Sequence, residues 1–260
     1  MSTPFISRRT HQFTYFDRQL GHPEWRGKHV LDFGGNAGNI LRGRENKIEP
    51  SRYWSIDLSR EAIALGQKLH PEAHLVFYDR YSIEFNPTGV MGLPIPDPGV
   101  RFDIALAFSV FTHTSKAEMI ELVGQMYDLL VPGGMLAFTF LDPNWTVPAD
   151  WEPHPMAGTG ATNLEWGLRR RIDVNPAVDV QGLLTRAATE PRLTWVTFVN
   201  NEDLYLNPNE DGIGGDESKP YLTFSTTDYM QELYPDARIL DPISPEQQHC
   251  AVLRKPDSSG

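Results

Sequence analysis

The chain is poor in the features that would place it outside the cell or in a membrane. It has one cysteine, Cys250, among 260 residues. A single thiol cannot close an internal disulfide, so a reducing, cytoplasmic setting is expected, and Cys250, in an apolar run, should be a small buried hydrophobe. No stretch reaches the ~18 apolar residues of a membrane span, and the opening MSTPFISRRTHQF lacks the apolar region of a secretion signal. Positive charge is scarce as well: 23 Lys and Arg against 34 Asp and Glu leave a formal net charge of −11. Such a surface repels phosphate backbones, which argues against a nucleic-acid partner. The densest basic cluster, Arg169–Arg171, is expected to be a solvated face. There is no internal repeat.

Against these absences stands a regular alternation of short apolar runs and amphipathic segments from Lys28 to Phe140. Val30–Phe33 reads as a buried strand, followed by a Gly-rich turn and a short helix from about Asn39. Tyr53–Ile56 is a second strand ending at Asp57. Ser59 is placed to cap a helix over Arg60–Leu69, with Ile63 and Leu65 on its apolar side. Leu75–Tyr78 and Phe102–Phe108 are the next strands, the latter a continuous apolar run suited to burial on both faces. Met119, Leu122, Val123, Met126, Tyr127 and Leu130 recur at helical spacing. Pro132-Gly133-Gly134 is expected to stop that helix, and Leu136–Phe140 to form the fifth strand. Repeated strand–helix–strand units predict an α/β fold with a doubly wound, mostly parallel sheet and helices on both faces.

After Asp142 the pattern breaks for about eighty residues, to roughly Tyr221, in a segment rich in Pro, Asn, Gly and Trp. Within it Leu193–Val199 reads as a strand, with Tyr205–Leu206 as its hairpin partner. The acidic, glycine-rich Asn207–Lys219 lacks the carboxylate spacing of a calcium loop and reads as a surface loop; no metal is expected. Order returns with a helix over Thr226–Tyr234 and strands at Ala237–Leu240 and Cys250–Arg254. The expected organisation is an N-terminal segment over 1–27, a core over 28–141, an insertion over 142–221 that caps the acceptor side, completion of the sheet over 222–255, and a tail over 256–260. The first ten residues and the tail carry no periodicity. A long insertion between regular halves usually carries function.

A strand, a glycine turn and a helix start let a ligand approach backbone N–H groups closely. By itself this could equally serve a dinucleotide. The segment VLDFGGNAGNIL, with Asp32, Gly34, Gly35 and Gly38, resembles the first motif of the class I S-adenosylmethionine (SAM)-dependent methyltransferases. It departs from that motif at Asn36, which stands where the family has its middle glycine. Asparagine tolerates the left-handed conformation better than most residues, so the turn can survive. The resemblance continues through Asp57 in YWSIDLS, Asp79 and Arg80 in VFYDRY, Phe108-Ser109 in LAFSVFTHTS, and LLVPGGMLAFTF. It implies a Rossmann-like fold and SAM as cofactor. It also implies that Asp32 meets the ligand's ammonium, Asp57 the ribose hydroxyls, Leu58 and Asp79 the adenine, and Phe108 and Ser109 the sulfonium side. Taken alone, Asp57 could be no more than a helix-flanking acid. Strand-end placement of all these groups is what an open α/β sheet demands of a binding crevice. NAD fits less well, because a dinucleotide site would use a third glycine for its second phosphate.

A sulfonium methyl is already electrophilic, so such an enzyme mainly aligns a nucleophile and excludes water. A base is needed only for an acceptor that starts protonated. His113, after the fourth strand, is the first candidate; the alternative is that it caps the next helix. Asp142 could hold an acceptor amine or be an Asp-Pro turn acid. Trp145, with Trp151, His154 and Trp166, could line an acceptor pocket or simply build a core. Tyr15, Phe16 and Asp17 could form a lid over the cofactor, with Tyr15 catalytic and Phe16 against the substrate, or a helix packed on the sheet. The expected activity is O- or N-methylation of a small molecule, in specialised metabolism; a homodimer is the open option for partners, and nucleic acid and membrane are not expected. Two other classes stay open: a SAM-using enzyme that releases methylthioadenosine by cyclisation, and a non-catalytic SAM-binding module.

Overall fold

The computed structural model describes residues 11–82, 85–151, 160–172, 195–199, 203–207, 220–244 and 246–257, together with Thr185. The opening ten residues, His154, the acidic loop over 208–219 and the last three residues lie outside them. The chain forms two compact units. One runs up to Val110 and takes in Ile120–Phe138 and the chain from Val252; the other holds Phe111–Met119 and Thr139–Ala251.

In the first unit, β1 (Val30–Phe33), β2 (Tyr53–Asp57), β3 (His74–Phe77) and β4 (Phe102–Ala107) pair in parallel. β1 is buried along its whole length, as its unbroken apolar run requires of a strand covered on both faces. The helix α1 (Gln12–Gln19) buries Phe13, Tyr15 and Phe16. The helix α2 (Arg60–Leu69) starts where its sequence says it should: Ser59 Oγ accepts the N–H of Ala62 at 3.1 Å. Ala62, Ile63 and Gly66 form its inner face and Leu65 is half-buried. The amphipathic run becomes α3 (Lys116–Asp128).

One boundary differs from expectation. The proline-glycine-glycine segment does not lie between α3 and the fifth strand; it lies inside that strand, β5 (Leu130–Phe140). The pairing with β4 jumps from Phe102↔Leu130 to Ile104↔Met135, so the segment is a bulge. Gly133 supplies the left-handed φ of 76° that the bulge needs, and its N–H donates to the Lys255 carbonyl at 3.0 Å. Proline is tolerated here because an interrupted ladder has no bond for its missing N–H.

The second unit contains α4 (Asn163–Ile172) and an antiparallel sheet in which β6 (Trp195–Val199) is flanked by β7 (Asp203–Asn207) and β8 (Pro220–Ser225). The β6–β7 hairpin matches the sequence reading. β8 does not: its Thr223, Phe224 and Ser225 are all buried, and the small polar residues hide this in the sequence. Thr226 caps α5 (Thr227–Leu233) through a 3.2 Å bond from Tyr229 N–H. Two further strands follow, β9 (Arg238–Leu240) and β10 (His249–Arg254). The large sheet has the order β3-β2-β1-β4-β5-β10-β9. β10 runs against β5, since Lys255 bonds Gly134 while Gln248 bonds Thr139. The sheet is otherwise mostly parallel and of the Rossmann-like kind. Among the described residues no helix is long and apolar enough to cross a membrane.

Candidate cofactor site

The turn after β1 is built from residues that other side chains could not replace. Gly34 and Gly38 both have φ of 74° and Asn36 has φ of 53°. Asparagine therefore adopts the left-handed conformation in the middle position, as its short polar side chain allows. A Cβ on Gly34 would stand 2.4 Å from Val110 Cγ2. One on Gly35 would stand 2.5 Å from Asp32 Oδ2 and 2.6 Å from Ser55 Oγ. The glycines thus let the chain fold down onto the carboxylate at the end of β1.

Asp32 is fully buried. Tyr53 donates its hydroxyl to Asp32 Oδ2 at 2.6 Å. The parallel register explains the meeting: Asp32 pairs with Ser55, which puts Tyr53, Ser55 and Asp57 on the face of the sheet that carries Asp32. Burial pushes the Asp32 carboxyl up to about 7, with Asp57 adding to the rise and the Tyr53 bond opposing it. The same burial, with the Asp32 charge beside it, raises the Tyr53 phenol well above its usual value.

Asp57 closes the turn from the other side. Its Oδ2 accepts the Asn36 N–H at 2.8 Å and its Oδ1 the Ser59 N–H at 2.8 Å. Burial raises its carboxyl, against those backbone bonds. Asn36 thus ties the first strand's turn to the second strand's acid. Beyond β3, Asp79 accepts from Asn86 Nδ2 at 3.1 Å and lies 3.7 Å from the Arg60 guanidinium, which covers the Phe77 ring. Leu58 is half-buried next to Asp57.

Arg80, grouped with Asp79 from the sequence, turns elsewhere. Its buried guanidinium makes a two-pronged pair with Glu121 of α3, at 3.0 and 2.8 Å, and also reaches the Leu93 carbonyl at 2.7 Å. It braces α3 and the segment before β4. At the end of β4, Phe108 packs edge-on to Tyr15 at 5.4 Å and to Phe16 at 5.9 Å. The N-terminal aromatics are therefore packed down as a buried helix face. Asp17 anchors α1 by accepting from Trp25 Nε1 at 2.6 Å and pairing with His22 at 2.8 Å. Ser109 follows in the left-handed region, φ 57°, a strained setting that clusters at functional sites.

The acceptor-side candidates lie in the second unit. His113 ends a short 3-10 helix, Phe111–His113. A side-chain cap of α3 comes from Ser115, whose Oγ accepts the Glu118 N–H at 3.2 Å. Asp142 is buried and gives one oxygen to Asn144 N–H and the other to Thr227 N–H, each at 2.8 Å. It serves as the turn acid and also ties down the first turn of α5. Trp145 stands 5.3 Å from Trp151 and edge-on to His249 at 6.2 Å. Tyr53 and Ser55 were missed from sequence because they open an ordinary apolar strand; their meeting with Asp32 depends on register.

These residues suit an adenosine carrying an amino-acid tail. Asp57 takes backbone N–H groups on both oxygens, Asn36 on one and Ser59 on the other, and as an acceptor-only carboxylate it suits two vicinal hydroxyls. Burial and the neighbouring Asp57 both disfavour the Asp32 carboxylate, so an ammonium would stabilise its ionised form. Comparison with known proteins agrees. Residues 31–136 match the family model described as a methyltransferase domain. A relative from Mycobacterium ulcerans (strain Agy99), phthiotriol/phenolphthiotriol dimycocerosates methyltransferase 1, is 28% identical over 144 residues, 53% of this chain. The match spans only 46% of that relative's length. The glycopeptide N-methyltransferase MtfA, crystallised with (S)-adenosyl-L-homocysteine, superposes with a TM-score of 0.53 at 12% identity, covering 98% of this chain and 92% of its own. CalS10, an amino pentose methyltransferase from Micromonospora echinaspora, superposes at 0.50 and 13% identity, covering 95% and 91%. Likenesses at that identity speak for the fold. Residues 31–136 are thus similar to a methyltransferase domain, and the fold is the Rossmann-like one of the solved methyltransferases.

Proposed function

We propose that the protein transfers a methyl group from SAM to oxygen or nitrogen of a small-molecule acceptor, in the cytoplasm. The observation that carries the reading is the closed turn in which Asn36 N–H and Asp57 share a 2.8 Å bond above the buried carboxyl of Asp32. SAM, when bound, supplies an electrophilic methyl on a sulfonium. Asp57 would accept the ribose hydroxyls and Asp32 the ammonium, while Gly34, Gly35, Asn36 and Gly38 bring backbone close to the ligand. Leu58 and Asp79 would border the adenine, and Phe108 and Ser109 the sulfonium side. His113, which follows the fourth strand, would take the proton of an acceptor that starts protonated. Tyr15 and Phe16 would shield this end of the crevice from water. The acidic surface, net −11, supports a small-molecule acceptor over nucleic acid.

Mass spectrometry of products from SAM and a metabolite extract tests the reading. S-adenosylhomocysteine with a methylated metabolite is the expected result. Methylthioadenosine would instead mean cyclisation, and unaltered SAM a binding module. Asp57→Ala should weaken SAM binding by about tenfold or more, the value of charge-assisted hydrogen bonds. Light scattering decides whether a homodimer forms.

A further inference from the structure

Beside β10 the second unit gathers buried polar atoms that its own side chains leave unsatisfied. Asn163, the first residue of α4, is fully buried. Its Nδ2 donates to the Asp142 carbonyl at 2.9 Å and the Gln247 carbonyl at 3.3 Å, which fixes the orientation of the amide. Its Oδ1 is therefore an acceptor, and it is buried without a partner, as is Gln247 Oε1. His249, 3% exposed, likewise has no partner at Nδ1. Its ring stacks on Phe140 at 5.4 Å and meets the edge of Trp145. The residues are joined directly: Asn163 N–H donates to the Trp145 carbonyl at 2.9 Å, and the Asp142 carboxylate acts on the charge of His249.

A buried oxygen with no donor is costly, and native proteins rarely leave one without a reason. Here two amide oxygens and a ring nitrogen, on residues linked through Asp142 and Trp145, are left without donors beside aromatic rings and near a buried carboxylate. Three acceptors call for a group rich in donors, the nearby carboxylate favours a cation, and indole faces attract cations. We infer that Asn163, Gln247 and His249, with Trp145 and Trp151, form a binding site for the ammonium group of a small molecule. Burial, opposed by Asp142 and Asp241, holds the His249 imidazole below its usual range, which keeps it neutral and able to accept.

Saturation-transfer NMR on the wild-type protein tests the site with benzylammonium and its neutral isostere, benzyl alcohol. Benzylammonium should bind, and the alcohol about tenfold more weakly, since it carries one donor and no charge. Asn163→Leu and His249→Phe should each lower benzylammonium affinity by a similar factor. Equal binding of the two probes overturns the proposal, as does binding of neither, which would leave an ordered water as the occupant. Should Asn163→Leu not fold, the wild-type pair still decides, and Trp145→Ala, at a half-buried position, must reduce benzylammonium binding. Calorimetry with SAM on the same sample keeps the two readings apart. Benzylammonium binding without SAM binding would remove the methyltransferase reading and leave this site standing.

Discussion

Lowering the pH from 8 to 6 should weaken cofactor binding about tenfold, through Asp32. Burial raises this carboxyl to about 7, against the hydrogen bond from Tyr53. An ammonium binds the carboxylate and not the neutral acid, so binding must displace the proton from whatever fraction still holds one. With a midpoint near 7, about nine-tenths of the protein has Asp32 ionised at pH 8 and about one-tenth at pH 6, a difference near 1.4 kcal/mol. Calorimetry with S-adenosylhomocysteine, which has the same amino-acid tail, in buffers of different ionisation enthalpy reads both affinity and protons released. About half a proton should leave per ligand at pH 7. Tyr53→Phe removes a donor that favours the ionised form, so its midpoint should move up and its affinity at pH 7 should fall. An affinity that stays flat from pH 6 to 8, or an Asp32→Asn variant that keeps the wild-type slope, would refute the reasoning.

Other consequences concern stability. Because the native Asp32 carboxyl sits above its unfolded value of 3.8, native protein holds the proton more tightly, and stability is lost as pH rises from about 4 to about 7. Asp32→Asn should therefore raise the melting temperature more at pH 8 than at pH 4.5, while SAM binding falls. Gly34→Ala combines a left-handed φ with a 2.4 Å contact to Val110 and should cost about 2–4 kcal/mol by denaturant titration. Glu121→Ala leaves the Arg80 guanidinium buried without its carboxylate and should cost about 3 kcal/mol; Glu121→Gln should cost less, since the amide oxygen still accepts. Asp142→Ala frees the Thr227 N–H and should cost about 1 kcal/mol, with α5 exchanging amide protons faster.

Much of this protein is written in local chemistry. Ser59 announces its helix, the unbroken run VLDF announces a strand buried on both faces, and DFGGNAGN announces a turn whose left-handed middle position Asn36 can fill. Each depends on residues within a few positions, so the sequence by itself determines them. The tertiary structure decided the rest, because those outcomes depend on which distant residues are brought together. Proline-glycine-glycine reads as a helix stop until β5 pairs with β4 and makes it a bulge. Arg80 reads as part of the VFYDRY strand end until α3 offers Glu121 to its guanidinium. Asp142 reads as a turn acid or an acceptor ligand, and only the fold adds the Thr227 N–H of α5 to its partners. Asp32 reads as a strand-end acid, but its carboxyl near 7 requires the parallel register that lays Tyr53 and Asp57 on its own face of the sheet. Burial and register are properties of the assembled sheet, and the electrostatics of the cofactor turn follow from them.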